Sequence, residues 1–576
     1  MSDALKLTPV EGIKARSNFL RGTLLQSLAD SATGALAEDD TQLSKFHGFY
    51  QQDDRDVRDE RRRQMLEPDH QFMIRARVPG GICTPNQWLA MDAIATEHAN
   101  GTIRLTTRQA FQLHGVVKRR LKPTIKGINE SLLDTIAACG DVNRNVMSTV
   151  LPEQSAIHRR VFDDAAAVSR HLTPHTNAYH EIWLDGEKLT GAAAEQENEP
   201  IYGKTYLPRK FKMSFAIPPR NDVDVFAHDL SFIAIVGKGE LQGYNVVVGG
   251  GMGVTHGDPK TYPRLASVVG FCTPEQVLEV SETIVTIQRD FGDRTERKHA
   301  RLKYTLDDHG EDWLHQQFSE RAGYRLAEPR DYVFTHTGDR LGWQQTDDGL
   351  WHLGLFIENG RVKDVEGSQQ LTGLREIAKI LKGEFRLTPN QNLVLAKVAD
   401  ADRADIDAIV TQHGLDSWNR LSPLRQNALA CVGFPTCGLA MAESERYLPD
   451  LVGQIEQLLA KHDLLQQAIT IRMTGCPNGC ARPYLAEIGL VGKGPGLYNL
   501  HLGAAFNGTR LNSLFRESVQ EADVLEVLDQ LFGDYAADRN QDEHFGDFLF
   551  RQGLLSNSTH STTADPQPAQ LNNTLN

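Results

Sequence analysis

The sequence lacks the features of a membrane-spanning or secreted protein. No apolar run in its 576 residues reaches the length needed to cross a bilayer, and residues 1–10 contain no apolar signal region. Cysteine is scarce, and an odd total of seven does not suit a disulfide framework. Three of the seven, Cys83, Cys139 and Cys272, have no paired spacing and are interpreted as structural. These absences predict a cytoplasmic protein with reduced thiols and no membrane association.

Basic residues are also fewer than acidic residues. The formal net charge is -14, whereas nucleic-acid binding favours a basic balance, so no nucleic-acid partner is expected. A dinucleotide fingerprint is missing as well, because the glycine cluster at 249–253 does not follow G-x-G-x-x-G and reads as a strand-to-turn element. The remaining composition, 40% hydrophobic and 24% charged residues, is that of a globular protein with two or more domains.

Four cysteines form two close pairs, Cys431 with Cys437 and Cys476 with Cys480. Glycine and proline occur in both intervals, so the pairs are predicted on turns, whose backbone N–H groups suit an anionic metal centre. Together the pairs supply four thiolates, which either zinc or an iron–sulfur cluster can accept. The five-residue interval of the first pair is long for zinc. Four buried thiols without a metal are the alternative, and the spacing alone leaves the metal open.

The pattern C-x5-C, a gap of 38 residues and T-G-C-P-N-G-C resembles the siroheme-dependent sulfite and nitrite reductase family. The block F-H-G-F-Y-Q-Q-D-D-R-D at 46–56 adds to the resemblance, which covers about residues 12–553. Gly438 and Ala481 depart from the family pattern, which has proline at the first position and glycine at the second. Both are neighbours of the predicted ligands, so the departures affect the expected reduction potential of the cluster more than its binding. The resemblance implies that Cys480 also bridges to the siroheme iron. It implies these ligands of a [4Fe–4S] cluster: Cys431, Cys437, Cys476 and Cys480.

One predicted strand, residues 103–114, carries a row of polar side chains on a single face, interrupted at Ala110, with apolar residues on the other face. Two guanidinium groups in such a row suit a polyanion, and a plain solvent-facing sheet is the alternative. The resemblance implies that the polyanion is siroheme, with its ring of carboxylates. The row consists of Arg104, Thr106, Arg108, Gln112 and His114.

Other cationic residues occur on further predicted elements. Residues 72–79 alternate as a strand that carries Arg75, and helices are predicted at 86–97 and 124–138. Lys210 and Lys212 share a strand face, where their repulsion is expected to lower the pKa of one of them, although such a pair ordinarily points to water.

The resemblance assigns roles to these cations and to others nearby, including a basic run at 297–303 that would otherwise be a solvated face. It implies that the sulfite-binding and proton-delivering residues are Arg75, Arg144, Lys210 and Lys212. It implies that the siroheme contacts are Arg104, Thr106, Arg108, Gln112, His114, Asn145, Arg301, Lys303 and Cys480.

An internal repeat links the two halves of the chain. Residues 101–106 recur at 383–388 with an offset of 282, and the offset shrinks to 254 where Tyr244 recurs as Tyr498. The order of the repeated motifs is kept, as expected for a duplication with small deletions. Only the second copy carries the cysteine quartet, while the first carries the cations, so the site is expected between the halves.

The repeat and the resemblance together predict an α+β fold. Its expected parts are two ferredoxin-like modules and two larger α+β lobes around a central cofactor site, related by a pseudo-twofold axis. The charge-dense block at 53–63 predicts a mobile or partner-binding arm, or else a solvated helix. The expected domains are a partner-docking arm at 1–65, the first ferredoxin-like module at 66–140, a siroheme- and substrate-binding lobe at 141–335, the second module at 336–420, a cluster- and siroheme-binding lobe at 421–555, and a disordered tail at 556–576.

The resemblance implies an enzyme that reduces sulfite to sulfide with six electrons in assimilatory sulfate reduction and cysteine biosynthesis. The electrons are expected to come from a flavoprotein partner subunit, which carries FAD and FMN and oxidises NADPH. They would pass through the [4Fe–4S] cluster to sulfite bound on siroheme. Three alternatives remain: a siroheme nitrite reductase, a ferredoxin-dependent sulfite reductase, and a non-catalytic protein with a structural zinc site.

Overall fold

The computed structural model describes residues 6–150, 156–175 and 199–555, and the backbone of 183–184 and 187–188. The tail at 556–576, predicted to be disordered, lies outside the described residues. Within the described ranges, no helix is both long and apolar enough to cross a membrane. The helices are Pro9–Arg16, Leu24–Ala29, Glu38–Leu43, Arg58–Arg63, Pro85–His98, Leu121–Glu130, Ala156–His171, Val277–Phe291, Leu302–His309, Glu311–Ala322, Gln370–Ile380, Arg403–Gln412, Pro423–Gln426, Leu448–Lys461, Glu521–Asp538 and Phe545–Arg551.

Two of the sheets belong to ferredoxin-like modules, and each ends in a short strand from the other half of the chain. In spatial order, the first-module sheet contains Phe49–Asp53, His70–Ala76, Phe111–Val116, Ile103–Leu105 and Arg361–Val362. The second-module sheet contains Gly342–Gln345, Trp351–Leu355, Leu393–Val398, Glu384–Leu387 and Ile82–Cys83. The buried Trp88 ring stacks on Phe385 with centroids 4.7 Å apart, so the two modules share one core.

Two further sheets form the lobes and repeat one topology. Along each sheet, the first two pairings are parallel and the next two are antiparallel. The first-lobe sheet contains Asn143–Ser148, Phe211–Ala216, Leu230–Gly237, Glu240–Val248 and Ser267–Cys272. The second-lobe sheet contains Ala428–Ala430, Ile471–Thr474, Ile488–Gly494, Leu497–Leu502 and Ser513–Val519. The duplication predicted from the sequence is therefore present in the strand order.

Three short two-stranded pairings lie outside these sheets. Two of them are antiparallel hairpins, and one is a parallel pairing between distant segments. The pairs are Arg220–Asn221 with His336–Thr337, Asp364–Val365 with Ser368–Gln369, and Trp183–Leu184 with Glu187–Lys188.

The single strand predicted at 103–114 is wrong, because the structure forms a hairpin there. Ile103–Leu105 and Phe111–Val116 pair antiparallel, and the Thr106 hydroxyl accepts hydrogen bonds from the N–H groups of Arg108 and Ala110, both at 3.2 Å. A hydroxyl that caps the backbone in this way favours a turn over an extended strand. Strand alternation alone cannot reveal such a turn.

Two helices were predicted in this region. The structure confirms the first, and the second ends earlier in the structure than predicted. The helix predicted at 86–97 is confirmed as Pro85–His98, which begins at a capping box between Thr84 and Gln87. The helix predicted at 124–138 runs instead from Leu121 to Glu130, since Leu132 adopts a left-handed φ of 63° that ends it.

The N-terminal segment is packed against the rest of the protein and does not form a mobile arm. Leu20, Leu43 and Phe46 are at most 2% exposed, and Phe49–Asp53 forms the edge strand of the first-module sheet. The charge-dense block forms the helix Arg58–Arg63, which has no buried residue and matches the solvated-helix alternative. The other predicted domain boundaries, and any docking role for this segment, stay predictions.

Phe46→Ala should lower the free energy of unfolding by about 3–5 kcal/mol, because it empties a site against Tyr206 and Gly140 in the shared core. Chemical denaturation followed by circular dichroism measures the loss. The control is Phe550→Ala, which truncates a ring that is already 45% exposed. An equal effect of the two changes would show that the N-terminal segment is not part of the core.

Candidate functional site

The cysteine pairs meet because their strands are parallel neighbours. Cys431 directly follows Ala428–Ala430, and Cys476 comes two residues after Ile471–Thr474. These two strands pair in parallel, so their carboxyl ends lie at the same edge of the second-lobe sheet. Each loop then returns its second cysteine toward the first. The pairing brings four thiols to this edge: Cys431, Cys437, Cys476 and Cys480.

Each cysteine loop requires a glycine. Gly433 and Gly479 have φ angles of 64° and 63°, a left-handed conformation that disfavours other residues. A Cβ atom on Gly433 would lie 2.6 Å from the Ser444 nitrogen, and one on Gly479 would lie 2.7 Å from the Met252 oxygen. The second contact joins the two halves, because Met252 belongs to the glycine cluster at 249–253.

The environment of the thiols suits a metal cluster. The Gly475 N–H points at Cys431 Sγ (3.2 Å), and the Asn478 amide donates to Cys476 Sγ (3.4 Å). Burial, together with the neighbouring thiols, raises the pKa of Cys437 to about 12 and that of Cys476 to about 11, so the thiolates need a cationic centre to form. Among the described residues, no three His, Cys, Asp or Glu side chains are placed so that they could hold one metal ion.

A row of polar residues crosses the first-module sheet. Strand pairing sets Arg75 beside Gln112, Gln112 beside Arg104, and Arg104 beside Arg361. The Glu445 carboxylate accepts hydrogen bonds from both Arg104 and Arg361 and partly neutralises them. Burial nevertheless lowers the pKa of Arg104 to about 10 and that of Arg361 to about 9. Arg361 was not predicted from the sequence, since its strand comes from the other half of the chain.

His114 and Arg108 offer unpaired polar atoms beside this row. Both ring nitrogens of His114 are buried without a hydrogen-bond partner in the described structure, as is Nε of Arg108. Burial, reinforced by nearby guanidinium groups, holds the pKa of His114 well below its usual value. Arg108 donates to the Asn145 and Met213 carbonyls, and its pKa is lowered to about 9 by burial. Such buried, unpaired groups fit the carboxylates of a tetrapyrrole such as siroheme.

Lys210 and Lys212 belong to the first-lobe sheet, and Lys210 is close enough to Cys480 to interact with it electrostatically. They flank the start of Phe211–Ala216, which pairs with the strand that carries Arg144. Neither ammonium group has a hydrogen-bond or ion-pair partner among the described residues. Burial lowers the pKa of Lys210 to about 7, helped by Arg144 and opposed by Cys480. Burial first, and the charge of Lys210 second, place the pKa of Lys212 well below its usual value. The predicted repulsion is therefore present but secondary.

Three other predicted siroheme contacts have partners within the protein. Arg301 forms a bidentate ion pair with Asp229 at 2.9–3.0 Å. Asn145 donates its amide to three backbone carbonyls of the first module. The ammonium of Lys303 donates to the carbonyls of Gly251, Gly253 and Tyr262. These contacts are structural, and the roles of the three residues toward a ligand stay predictions.

The Cys480 loop is tied to both modules. The Thr107 hydroxyl donates to the Cys480 carbonyl at 3.0 Å, and Arg482 donates to the carbonyls of Thr107 (2.9 Å) and Pro389 (3.0 Å). Arg482 also pairs with Asp224, which is almost fully buried. Thr107, Arg482 and Asp224 were not predicted from the sequence. The position of Arg482 two residues after a cysteine was a signal, but Asp224 lies 258 residues away.

Comparison with known proteins agrees with this architecture. Two family models match: the nitrite/sulfite reductase ferredoxin-like half domain at 63–131 and 343–413, and the nitrite and sulphite reductase 4Fe-4S domain at 164–326. The first model matches both modules, which confirms the duplication. The second match covers the first lobe and does not include the cysteine quartet, which lies in the repeated copy.

Curated relatives match over nearly the whole chain. The chain is 57% identical to the sulfite reductase [NADPH] hemoprotein beta-component of Oceanobacillus iheyensis, with 95% of each chain covered. It is 58% identical to the protein of the same name from Myxococcus xanthus, covering 98% of this chain and 99% of that one. A solved structure, Mycobacterium tuberculosis NirA, has a TM-score of 0.76 at 25% identity, covering 95% and 96% of the two chains.

The chain therefore belongs to the nitrite and sulfite reductase family. The α+β fold with two ferredoxin-like modules and duplicated lobes is confirmed. The roles of individual site residues rest on their geometry and stay predictions.

Cys480→Ser should disturb two centres together, because the Cys480 thiol is predicted to serve both the cluster and the siroheme. Purified protein should contain about four cluster irons and one siroheme iron, and the variant should lose cluster iron and shift the siroheme absorption bands. Iron analysis and visible spectroscopy measure both. Cys272→Ala, which removes a buried thiol elsewhere, is the control. Cluster loss with unchanged siroheme bands would contradict the shared-thiol assignment.

Proposed function

We propose that the chain reduces sulfite to sulfide with six electrons, using a [4Fe–4S] cluster on the cysteine quartet and siroheme against the polar row. The relatives named as sulfite reductase hemoprotein components, 57–58% identical over almost the full length, support this substrate. The observation that carries the proposal is the pair Lys210 and Lys212. Their two ammonium groups have no partner in the described part of the chain, and Lys210 is close enough to Arg144 and Cys480 to interact with both electrostatically, which suits a small anion with two charges.

The bound siroheme and cluster would supply the electron-transfer chemistry, and the protein residues would control the anion and its protons. Arg75 and Arg144 present guanidinium groups that bind oxyanion oxygens and hold them in a fixed orientation. Because burial has lowered the pKa values of both lysines, an approaching anion raises them again, and binding is accompanied by proton uptake. Lys210, with a pKa of about 7, is then a proton donor near neutral pH.

Nitrite reduction is the second candidate. The family name covers both anions, and the two reactions need the same kind of centre. Nitrite carries one negative charge, so it gains less from a second buried cation than sulfite does. Lys212 therefore distinguishes the two functions better than the arginines, which bind either anion.

Lys212→Asn should lower kcat/KM for sulfite about 100-fold and that for nitrite less than tenfold, because the lost charge matters more to the doubly charged anion. Steady-state rates for both anions, with one reduced dye as donor, give the comparison. Lys238→Asn removes the same charge from an exposed hairpin turn and should change neither rate. An equal loss on both substrates would assign Lys212 to general anion binding and remove the residue-level support for sulfite.

We further propose that the electrons come from a flavoprotein subunit with FAD and FMN that oxidises NADPH. The relatives are named beta-components, which implies a partner in those proteins. The missing dinucleotide fingerprint supports the proposal that NADPH is oxidised on a partner subunit here as well. The exposed helix Arg58–Arg63 is the proposed docking element. Arg55 precedes it and donates to the carbonyls of Cys437 and Ala440, which joins this surface to the cluster loop.

Replacing both Arg62 and Arg63 by Glu should lower NADPH-driven turnover at least tenfold with the flavoprotein present, and leave dye-driven turnover unchanged. Both side chains are 75% exposed, so the change acts on the docking surface and not on the fold. The assay compares the two donors at one sulfite concentration. Arg420→Glu, at another exposed site, is the charge control. Unchanged NADPH-driven turnover would place the docking surface elsewhere.

A further inference from the structure

Glu445 connects the segment between the two cysteine pairs to both halves of the chain. Its carboxylate forms ion pairs with Arg104 of the first module and with Arg361, whose short strand comes from the other half. Arg361 donates to both carboxylate oxygens, from Nε at 2.6 Å and from Nη2 at 3.1 Å. One carboxylate therefore faces two guanidinium groups, and the three side chains together keep a net positive charge.

This group of charges reaches the start of the loop from Cys431 to Cys437. Nη2 of Arg104 donates to the Ala430 carbonyl at 2.9 Å, and Ala430 directly precedes Cys431. Arg104 is also close enough to Cys431 and Cys480 to interact with both electrostatically. The side chains of Arg104 and Glu445 are 3% and 14% exposed, so solvent screens their charges weakly. Their charges therefore act on whatever the cysteines bind.

The backbone of Glu445 is held from both sides. The Asn359 amide donates to the Glu445 carbonyl at 3.0 Å, and the Ser444 hydroxyl donates to the Met473 carbonyl at 2.9 Å. A Cβ atom on Gly433 would lie 2.6 Å from the Ser444 nitrogen, so the first cysteine loop packs directly against this segment. The Glu445 carboxylate is thus fixed beside the arginines by the same contacts that hold the cysteine loop.

The charge beside a cluster affects how easily the cluster is reduced. An iron–sulfur cluster gains one negative charge on reduction, so positive charge nearby favours the reduced form and negative charge opposes it. At an effective dielectric constant of about 20, a buried unit charge within about 10 Å changes the reduction equilibrium roughly tenfold. Arg104 and Arg361 without a counter-ion would therefore raise the potential, and the Glu445 carboxylate cancels about half of their charge.

We propose that Glu445 sets the reduction potential of the cysteine-bound cluster, holding it below the value that two unpaired arginines would give. The inference rests on the proposed function, which places a [4Fe–4S] cluster on the four cysteines. A lower potential makes the cluster a stronger reductant, as a centre that passes electrons onward requires. Arg104 and Arg361 have the complementary role, because they provide the positive charge that keeps a carboxylate stable in this buried position.

Glu445→Gln keeps the shape of the side chain and removes its charge. It should raise the ratio of reduced to oxidised cluster at a fixed applied potential about tenfold, which is about 59 mV for a one-electron couple. Arg361→Gln should lower the ratio by a similar factor. The double variant has the net charge of the unaltered protein, so its ratio should lie within threefold of the original. Redox titration of the purified cofactor-loaded proteins, followed by electron paramagnetic resonance of the reduced cluster, measures the ratio.

Glu443→Gln is the matched control, because it removes the same charge two residues away on the same segment. Glu443 pairs with Arg446, and these side chains are 31% and 47% exposed, so solvent screening should keep the change in the ratio below threefold. A merely structural role of Glu445 predicts shifts of one sign for Glu445→Gln and Arg361→Gln, and no recovery in the double variant.

Iron analysis of each protein distinguishes failure of this inference from failure of the proposed function. If the unaltered protein binds no cluster iron, the proposed function is wrong. If the cluster is present and Glu445→Gln leaves the ratio unchanged, or shifts it in the same direction as Arg361→Gln, the tuning role of Glu445 is wrong. Should Glu445→Gln not retain the cluster, Arg361→Gln decides the question, and a ratio equal to that of the unaltered protein overturns the proposal.

Discussion

The burial of many like charges in one region of the protein is the constraint on which the site depends. Carboxylates neutralise some of the cations: Glu445 pairs with Arg104 and Arg361, and Asp229 pairs with Arg301. The pKa values of the two lysines remain low, because burial disfavours their charge and no carboxylate among the described residues forms an ion pair with them. Such a site has an unfavourable desolvation energy that bound anions relieve. Affinity for a polycarboxylate and a dianion thus follows from the same arrangement of charge.

The sequence predicted much of the fold because duplicated motifs and cysteine spacing are local signals. The two cysteine pairs, the repeat at 101–106 and 383–388, and the polar alternation of residues 103–114 could all be read along the chain. The error in the last segment shows the limit of such patterns. Arg104 and Gln112 are opposite each other in the hairpin, so they lie on one face of the sheet, as they also would in a single strand. The alternation of polar and apolar residues therefore cannot distinguish a hairpin from a single strand here.

Other site residues could not be found from the sequence, because their partners lie far away along the chain. Arg361 joins the polar row through a two-residue strand of the other half, too short to show any period. Asp224 meets Arg482 across 258 residues. Composition likewise described the N-terminal segment as polar but could not show that a few residues, such as Phe46, enter the core.

The exchange of short strands between the modules has a consequence for synthesis on the ribosome. The first-module sheet receives its last strand, Arg361–Val362, only after more than half of the chain has been made. Until then the edge of Ile103–Leu105 is open, and at about 5–20 residues per second the delay lasts on the order of ten seconds or more. An open strand edge is a template for wrong pairing. A chaperone that binds the nascent chain during this interval would therefore limit wrong pairing at the open edge.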